Sequence, residues 1–179
     1  TVNGKTMTTE ALDNARKYSE ASGTEFTDMN VYQVINNFVT QTIMLREAEK
    51  RGIVVENSEI EAYIAEQKEL MRQYIADNPE IADSIAAYYR EQGITADAYY
   101  ETSDGNEQCR KAVMLKKLAE KLEDDYDKAT ASQEVKELKN ATKLYYELYR
   151  KRYEKATILI NQKNVDGYIE TYHIKKSVT

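Results

Sequence analysis

The stretch VINNFVTQTIMLREAEKRGIVVENSEIEAYIAEQKELM, residues 34–71, predicts two long helices joined by a short link. In its first half, apolar residues recur every three or four positions, which indicates one apolar face on a helix that begins near Asp28. The phrase REAEKR then places cationic residues in the last turn, where they suit the helix dipole, and Gly52 follows at a typical helix end. This stretch favours a mainly α-helical fold.

The second half of the stretch predicts the next helix, which extends beyond it to about 77. Asn57 or Ser58 is the predicted cap, and Ser58 with Glu61 fits a capping box. The inner face of this helix is marked by apolar and aromatic residues at helical spacing: Ile60, Tyr63, Ile64, Leu70, Met71, Tyr74 and Ile75.

The rest of the chain up to residue 153 reads in the same way, since it has few glycines and one proline. The predicted elements are a short extended piece with a turn at Asn3–Gly4, a helix from Thr8 or Thr9 to about Ser22, a helix from Pro79 to Gly93, a short helix capped by Thr95, a break at 102–106, a helix from about Glu107 to Tyr126, and a last helix from about Ser132 to Tyr153.

The C-terminal sequence EKATILINQKNVDGYIETYHIKKSVT, residues 154–179, looks different from the rest. β-Branched residues cluster near its start, VDG has the composition of a turn, and His173 stands among alternating residues. This pattern predicts a β-hairpin over about 155–176. The expected organisation is a helical module, 1–153, with the C-terminal hairpin of 154–179 packed on it.

Composition and charge exclude several classes of function. The net charge of −6 argues against a general binder of nucleic acid or of anionic membranes, because both need clustered positive charge. The basic run YRKRYEK, 149–155, is read as a solvated helix face, with a local contact to an anion or partner as the alternative. No apolar run approaches the length of a membrane span.

The residues that usually carry chemistry are sparse. Cys109 and His173 are each the sole residue of their kind, so neither a disulfide framework nor a thiolate metal cluster is expected, and no local signature pairs them for catalysis. The acidic run EDDYD, 123–127, lacks the spacing of a calcium loop, and no glycine-rich phosphate loop is present. We therefore expect no cofactor, no metal and no enzymatic activity.

The aromatic residues suggest a different kind of site. Fifteen tyrosines and five methionines offer adaptable contact area with hydroxyl groups for hydrogen bonding. Those in the middle helices are either ordinary core residues or a shallow groove for extended peptides. The predicted peptide-binding residues are Tyr63, Met71, Tyr74, Tyr88, Tyr89 and Tyr99.

The phrase LREAEKRGIVVENSEIEAYI, 45–64, resembles the N-terminal helical module of the SurA and PrsA extracytoplasmic foldases. Three more phrases resemble that module in the same order: VNGKTMT (2–8), EQGITADAYYE (91–101) and KAVMLKKLAEKL (111–122). The resemblance extends over residues 2 to about 126. It implies a multi-helical peptide-binding module of the SurA N-terminal and trigger-factor type, with a short N-terminal strand.

In that family a parvulin prolyl-isomerase domain commonly follows the module. KATILI (155–160) and TYHIK (171–175) look like the first and last parvulin strands, which would make the hairpin a remnant without the catalytic pocket. Thr157 stands at the position of the first-strand histidine, and His173 alone remains. Residual isomerase activity is therefore not expected, because one imidazole on a hairpin cannot position and desolvate a twisted amide.

The resemblance implies a non-enzymatic, ATP-independent chaperone-like protein that binds unfolded or secreted polypeptides. It also implies an extracytoplasmic location, with membrane attachment through an N-terminal lipid anchor outside residues 1–179. The alternative is a structural or adaptor subunit of a cell-surface assembly that docks one specific partner. The sequence does not indicate an oligomeric state.

Overall fold

The computed structural model describes the backbone of residues 1–130 and 141–176, and the side chains within those ranges except at 126–130 and 141–142. The described chain is mainly α-helical, as the sequence predicts. Its α-helices are α1 (Thr9–Ala21), α2 (Asp28–Lys50), α3 (Asn57–Asp77), α4 (Ala82–Glu91), α5 (Ala96–Tyr99), α6 (Ser103–Thr130), α7 (Ala141–Tyr153) and α8 (Gln162–Thr171), and a 3₁₀ helix spans Pro79–Ile81. The predicted start of the last long helix, near Ser132, lies outside the described residues.

Helix α2 forms the centre of the main hydrophobic core. Its buried side chains follow one another at four-residue steps, Val31, Ile35, Val39 and Ile43, so they line one face of the helix. Helices α1, α6 and α7 pack around it. The C-terminal residues Val165, Tyr168, Ile169 and Ile174 belong to the same core, so the described part of 154–179 is integrated with the helical module.

A smaller core lies between α3 and α6. It consists of Val55, Ile60, Cys109 and Val113, and Tyr63 packs against it. The capping box of α3 is shifted by two residues from its predicted position. The Glu56 amide donates to Glu59 Oε2 at 2.8 Å, and both Glu59 oxygens also accept from Lys117 Nζ at 2.8 Å. The ion pair to α6 selects Glu59 over Glu61, which sequence spacing alone could not show.

The predicted break at 102–106 is wrong, because α6 begins within it at Ser103. The Gly105 amide donates to Thr102 Oγ1 at 3.0 Å, which is the bond an N-cap threonine makes. A Cβ atom on Gly105 would lie 2.1 Å from the Tyr99 carbonyl oxygen. The glycine is therefore explained by the close approach of α6 to the end of α5, and not by an interruption of the helix.

The predicted C-terminal hairpin is also wrong, because residues 162–171 form α8 in place of a turn and a second strand. The Asn161 side chain accepts from the Asn164 amide at 3.3 Å and begins the helix. Val165, Tyr168 and Ile169 have helical spacing and are all buried. Burial of these three side chains outweighs the roughly 1 kcal/mol that Gly167 costs inside a helix.

The extended residues on either side of α8 pair with distant segments and not with each other. Val2 forms antiparallel bridges with Lys5 across the predicted Asn3–Gly4 turn and with Ile158, and Thr27 forms a parallel bridge with Lys175. His173 follows α8 with a φ of 51°, a left-handed conformation typical of a residue that terminates a helix. The predicted short N-terminal strand is thus reduced, among the described residues, to isolated bridges at Val2, one of them to the segment after α7.

A buried carboxylate joins α2 to α7. The Glu47 side chain is 5% exposed and accepts from Arg152 Nε at 2.7 Å, from Arg152 Nη2 at 3.0 Å and from Arg51 Nε at 3.0 Å. Hydrogen bonds from Arg152, and then from Arg51, lower the pKa of Glu47 below its usual value despite its burial. Because Arg152 is bidentate, the pair fixes the orientation of α7 as well as its distance from α2.

We expect Glu47→Gln to lower the free energy of unfolding at pH 7 by roughly 1–3 kcal/mol, because it leaves Arg152 without its anion and leaves Arg51 only the longer contact to Asp125. The depressed pKa contributes stability that is present above the unfolded-state pKa, near 4.5, and is lost as pH falls through the lower folded-state pKa. Urea unfolding should therefore show a large difference between wild type and variant at pH 7 and a smaller one at pH 3. Glu154→Gln is the control, since its partner Arg150 lies 3.9 Å away and both side chains are well exposed. An equal effect of the two substitutions would contradict this role of Glu47.

We expect Gly105→Ala to destabilise the protein by roughly 2 kcal/mol or more, because the added Cβ atom would overlap the Tyr99 carbonyl and force the backbone to shift. Alanine is a better helix former than glycine, so without the contact to Tyr99 the change would be stabilising. Gly167→Ala is the matched control, because a Cβ atom there meets no atom within 4 Å and the residue lies inside α8. Thermal unfolding followed by circular dichroism should lower the midpoint for the first variant and raise it slightly for the second. The reverse order would refute the close approach.

Candidate peptide-binding groove

An apolar groove of about 420 Å³ lies between the N-terminal turn, α1, α2, α8 and the extended segment that follows α7. We call it the apolar groove. Its apolar lining residues are Val2, Met7, Leu12, Ile35, Phe38, Val39, Ile158, Leu159, Ile160 and Val165, and its polar lining residues are Thr1, Thr6, Thr8, Thr9, Asn161, Asn164 and Tyr168. Among the described residues that line it, no side chain is a carboxylate, an amine, a guanidinium, an imidazole or a thiol. The groove is therefore suited to an apolar ligand.

One wall of the groove is a two-stranded pairing at the N-terminal turn. The Asn3 amide donates to the Thr157 carbonyl at 2.8 Å, and the Leu159 amide donates to the Thr1 carbonyl at 2.9 Å. The turn itself requires left-handed backbone at Asn3 and Gly4, with φ values of 48° and 86°. The Asn3 side chain also accepts from the Thr157 amide at 3.0 Å. These bonds fix segment 157–159 beside the groove.

Helix α8 is held against α1 by polar contacts behind the groove. The Tyr168 hydroxyl donates to Asp13 Oδ1 at 2.9 Å. Burial, followed by the bond to Asp13, raises the pKa of Tyr168 to about 12, so the phenol stays protonated at physiological pH. The Arg16 guanidinium lies 4.5 Å from the centre of the Tyr172 ring, a cation–π contact between the same two helices.

The rim of the groove is unusually apolar for a protein surface. Leu159 is 66% exposed and Ile160 is 51% exposed, and the two are adjacent. Neighbouring exposed apolar residues beside a groove are typical of a binding site.

Three of the six predicted peptide-binding residues, Tyr88, Tyr89 and Tyr99, lie outside the groove, between α1, α4 and α5. Tyr88 and Tyr89 contact each other at 5.0 Å between ring centroids, Tyr89 contacts Tyr99 at 5.9 Å, and the series continues to Tyr18 and Tyr100 at 5.5 Å each. Tyr89 is buried, and desolvation raises its pKa strongly. These rings pack on one another in edge or tilted geometries, which accounts for their presence without a ligand.

The other three predicted residues are on α3. Tyr63 is half-buried and packs against the smaller core, Met71 is half-buried, and Tyr74 is 41% exposed. Tyr74 is thus the most accessible of the six. None of the six residues lines the apolar groove. Peptide binding by this set stays a prediction, and the apolar groove is a separate candidate.

The groove could not be predicted from the sequence, because its lining residues come from three separate stretches of the chain, 1–12, 35–39 and 158–168. One signal was available: TILI, 157–160, is an apolar run that a single edge segment cannot bury on one face. In the predicted hairpin, alternate residues of this run face a partner strand. The true partner, residues 1–3, is too short to cover it.

Cys109 and His173 are in different surroundings. Cys109 is buried in the smaller core, and desolvation raises the pKa of its thiol, which makes it less reactive. His173 is exposed beyond the C-terminal end of α8. Within 1–130 and 141–176, no three histidine, cysteine or acidic side chains are grouped so that they could hold a metal ion.

No helix in the described part of the chain is both long enough and apolar enough to cross a membrane. When the chain was compared with models of protein families, with curated proteins and with solved structures, nothing matched.

We expect Tyr168→Phe to lower the free energy of unfolding at pH 7 by about 1 kcal/mol, because it removes the hydrogen bond to Asp13 and keeps the ring. A folded-state pKa raised to about 12 gives stability that is present below the unfolded-state pKa, near 10, and is lost as pH rises towards 12. The difference between wild type and variant in urea unfolding should therefore shrink between pH 9 and pH 11.5. Tyr172→Phe is the control, because it preserves the ring beneath Arg16. A pH-independent difference would contradict the assignment.

Proposed function

We propose that this protein binds extended, apolar segments of unfolded polypeptides in the apolar groove, without catalysis and without ATP. The observation that carries the proposal is the apolar lining of the groove together with the exposed Leu159 and Ile160 at its rim. A groove of this size accepts a few side chains and not a folded domain. Weak, reversible binding follows, because an unfolded segment loses conformational entropy when it is ordered.

The backbone beside the groove favours an extended ligand over a small apolar molecule. Thr157 and Leu159 direct their backbone groups to the N-terminal turn. In an extended chain, the alternate residues Ile158 and Ile160 direct their backbone N–H and C=O groups to the opposite side. Within the described residues, neither isoleucine has a backbone hydrogen bond there. A client in β-conformation could add at this edge, with its main chain bonded and its alternate side chains in the groove.

The resemblance of residues 45–64 to the SurA and PrsA helical module supports the same proposal, and we extend it to an extracytoplasmic, lipid-anchored setting. That phrase includes the end of α2, the link and the start of α3. The C-terminal region contributes to the proposed site through its extended segment and α8, and no longer as a parvulin remnant. The one titratable side chain among the described lining residues, Tyr168, has its hydroxyl bonded to Asp13, which supports binding without chemistry.

The second candidate is an adaptor that docks one partner protein. The observation that favours it is a pair of exposed tyrosines on α7, Tyr146 at 65% and Tyr153 at 46%. Exposed tyrosines are enriched at protein interfaces. A chaperone-like protein should suppress the aggregation of unrelated substrates, such as reduced insulin and heated citrate synthase, at near-stoichiometric ratios. An adaptor should suppress neither.

We expect Leu159→Ser/Ile160→Ser to weaken the binding of a fluorescein-labelled apolar peptide about tenfold or more, since two half-exposed aliphatic side chains lose their contacts. Fluorescence anisotropy measures the Kd. Met29→Ser/Val54→Ser is the matched control, because these side chains are 57% and 63% exposed outside the groove. It should bind like wild type.

A third variant tests whether peptides bind at the apolar groove or at the predicted residues on α3. Met71→Ser/Tyr74→Ser changes the more accessible predicted residues on α3 and leaves the groove intact. Loss of peptide binding in this variant, with normal binding by Leu159→Ser/Ile160→Ser, would move the site to α3. Failure of wild type to bind any apolar peptide or to suppress aggregation would refute the proposed function.

A further inference from the structure

A second cleft lies on the other side of the N-terminal turn, between that turn, α2 and the first half of α6. It consists of two adjoining cavities of about 470 and 310 Å³ that share Lys5, Thr42, Leu45 and Lys111. We call it the cationic cleft. Four cationic side chains line it, Lys5, Arg46, Arg110 and Lys111, against two carboxylates, Glu49 and Glu107. Two net positive charges are therefore concentrated here, although the chain as a whole carries −6.

Two of the four cations are already engaged by the protein. Lys111 Nζ lies 3.7 Å from Glu107 Oε1. The Arg110 guanidinium donates to the Val55 carbonyl and to Asn57 Oδ1, both at 3.4 Å. These contacts hold both side chains at the far wall of the cleft, and Glu107 offsets the charge of Lys111 while Arg110 keeps its charge.

The other two cationic side chains of the cleft, Lys5 and Arg46, have no such contacts among the described residues. Within residues 1–130 and 141–176, neither side chain makes an ion pair or a hydrogen bond, and both are exposed at the cleft. Other exposed cations of the described residues, Lys17 and Arg90 among them, are unpaired as well, so what distinguishes Lys5 and Arg46 is that they lie together in one concave site. Positive charge in a cleft attracts anions more strongly than the same charge on an open surface.

The cationic cleft adjoins the apolar groove. Val2 lines both the groove and the larger cavity, and Met7 and Phe38 line both the groove and the smaller cavity. The apolar end of the cleft, with Met7, Val34 and Phe38, therefore adjoins the groove. A single extended chain can pass from one to the other around the N-terminal turn.

We propose that the cationic cleft binds the carboxylates of acidic residues that flank the apolar segment of a client polypeptide. This inference rests on the proposed function and adds a sequence preference to it: an apolar run next to aspartate or glutamate. Lys5 and Arg46 would pair with the carboxylates, while the apolar run occupies the groove. Charge complementarity would set the direction of the client. Its apolar run would lie in the groove, and its acidic flank would lie in the cationic cleft, on the other side of Met7 and Phe38.

A polypeptide fits this cleft better than a phospholipid surface does. The cationic side chains line a recess, so a flat bilayer cannot reach all of them, whereas an extended chain can enter. Glu49 and Glu107 in the same recess disfavour a compact dianion such as a phosphate group, and single carboxylates spaced along a chain can avoid them.

The test uses three series of fluorescein-labelled peptides with one apolar core and a flank of three glutamates, three glutamines or three lysines. The flank is placed at either end of the core, because one orientation alone should match the cleft. In 50 mM NaCl we expect the best glutamate peptide to bind wild type about fivefold to tenfold more tightly than its glutamine counterpart, and the lysine peptide to bind least. In 500 mM NaCl the preference should largely disappear.

Lys5→Gln/Arg46→Gln should abolish the preference for glutamate and leave the affinity for the glutamine peptide unchanged. Lys17→Gln/Arg90→Gln is the matched control, since it removes one exposed lysine and one exposed arginine away from the cleft and should keep the preference. Circular dichroism confirms that each variant is folded.

The possible failures are distinguishable. If wild type binds neither the glutamine nor the glutamate peptides, the proposed function and this inference both fail. If it binds the glutamine peptide and shows no preference for glutamate, or if the preference survives Lys5→Gln/Arg46→Gln, the inference alone fails. Binding to phosphatidylserine vesicles that is lost in Lys5→Gln/Arg46→Gln, without any peptide preference, would assign the cleft to lipid and overturn it.

Discussion

The ion pair between Glu47 and Arg152 is the constraint on which the arrangement of this protein depends. Glu47 is on the central helix α2, and Arg152 is one residue before the end of α7. The chain leaves α7 directly after this contact and becomes the extended segment at the groove. Fixing Arg152 therefore fixes where residues 157–160 begin, and so where Leu159 and Ile160 are presented. The buried carboxylate of Glu47 thus lies where the end of α7 is oriented. A bidentate ion pair fixes such an orientation more specifically than an apolar contact does.

Most helices could be predicted from the sequence, because their information is local. In α1 and α2 the apolar spacing, the cap region and the terminal glycine agree with one another, and the structure confirms their bounds to within one or two residues. At α8 the local signals disagree. Residues 165–167 have turn composition, but Val165, Tyr168 and Ile169 have helical spacing, and their burial against α1 and α2 settles the conformation. That burial depends on residues more than a hundred positions away, so no local pattern could reveal it.

The candidate site was less predictable than the fold for the same reason. The sequence identified tyrosines as adaptable contact residues, and five of them do gather into a continuous series of ring contacts. The sequence could not show which tyrosine side chains are exposed. Tyr89 is enclosed by its neighbours, whereas Tyr74 is not, and this difference arises only from tertiary packing. The groove is assembled from the N-terminal turn, α1, α2, the segment after α7 and α8. Its existence follows from their three-dimensional packing and from no single motif.

The two adjoining surfaces also suggest how an acidic protein could remain selective while binding by hydrophobic contact. An apolar groove alone would accept any exposed apolar segment, including those of its own unfolded chains. The net charge of −6 repels acidic segments over most of the surface, whereas the recess around Lys5 and Arg46 attracts them at one place. Under the proposed function, a client with an acidic flank would be guided to one orientation, because any other placement would bring like charges together. Selectivity would arise from where the positive charge is concentrated, while most of the affinity would come from apolar burial.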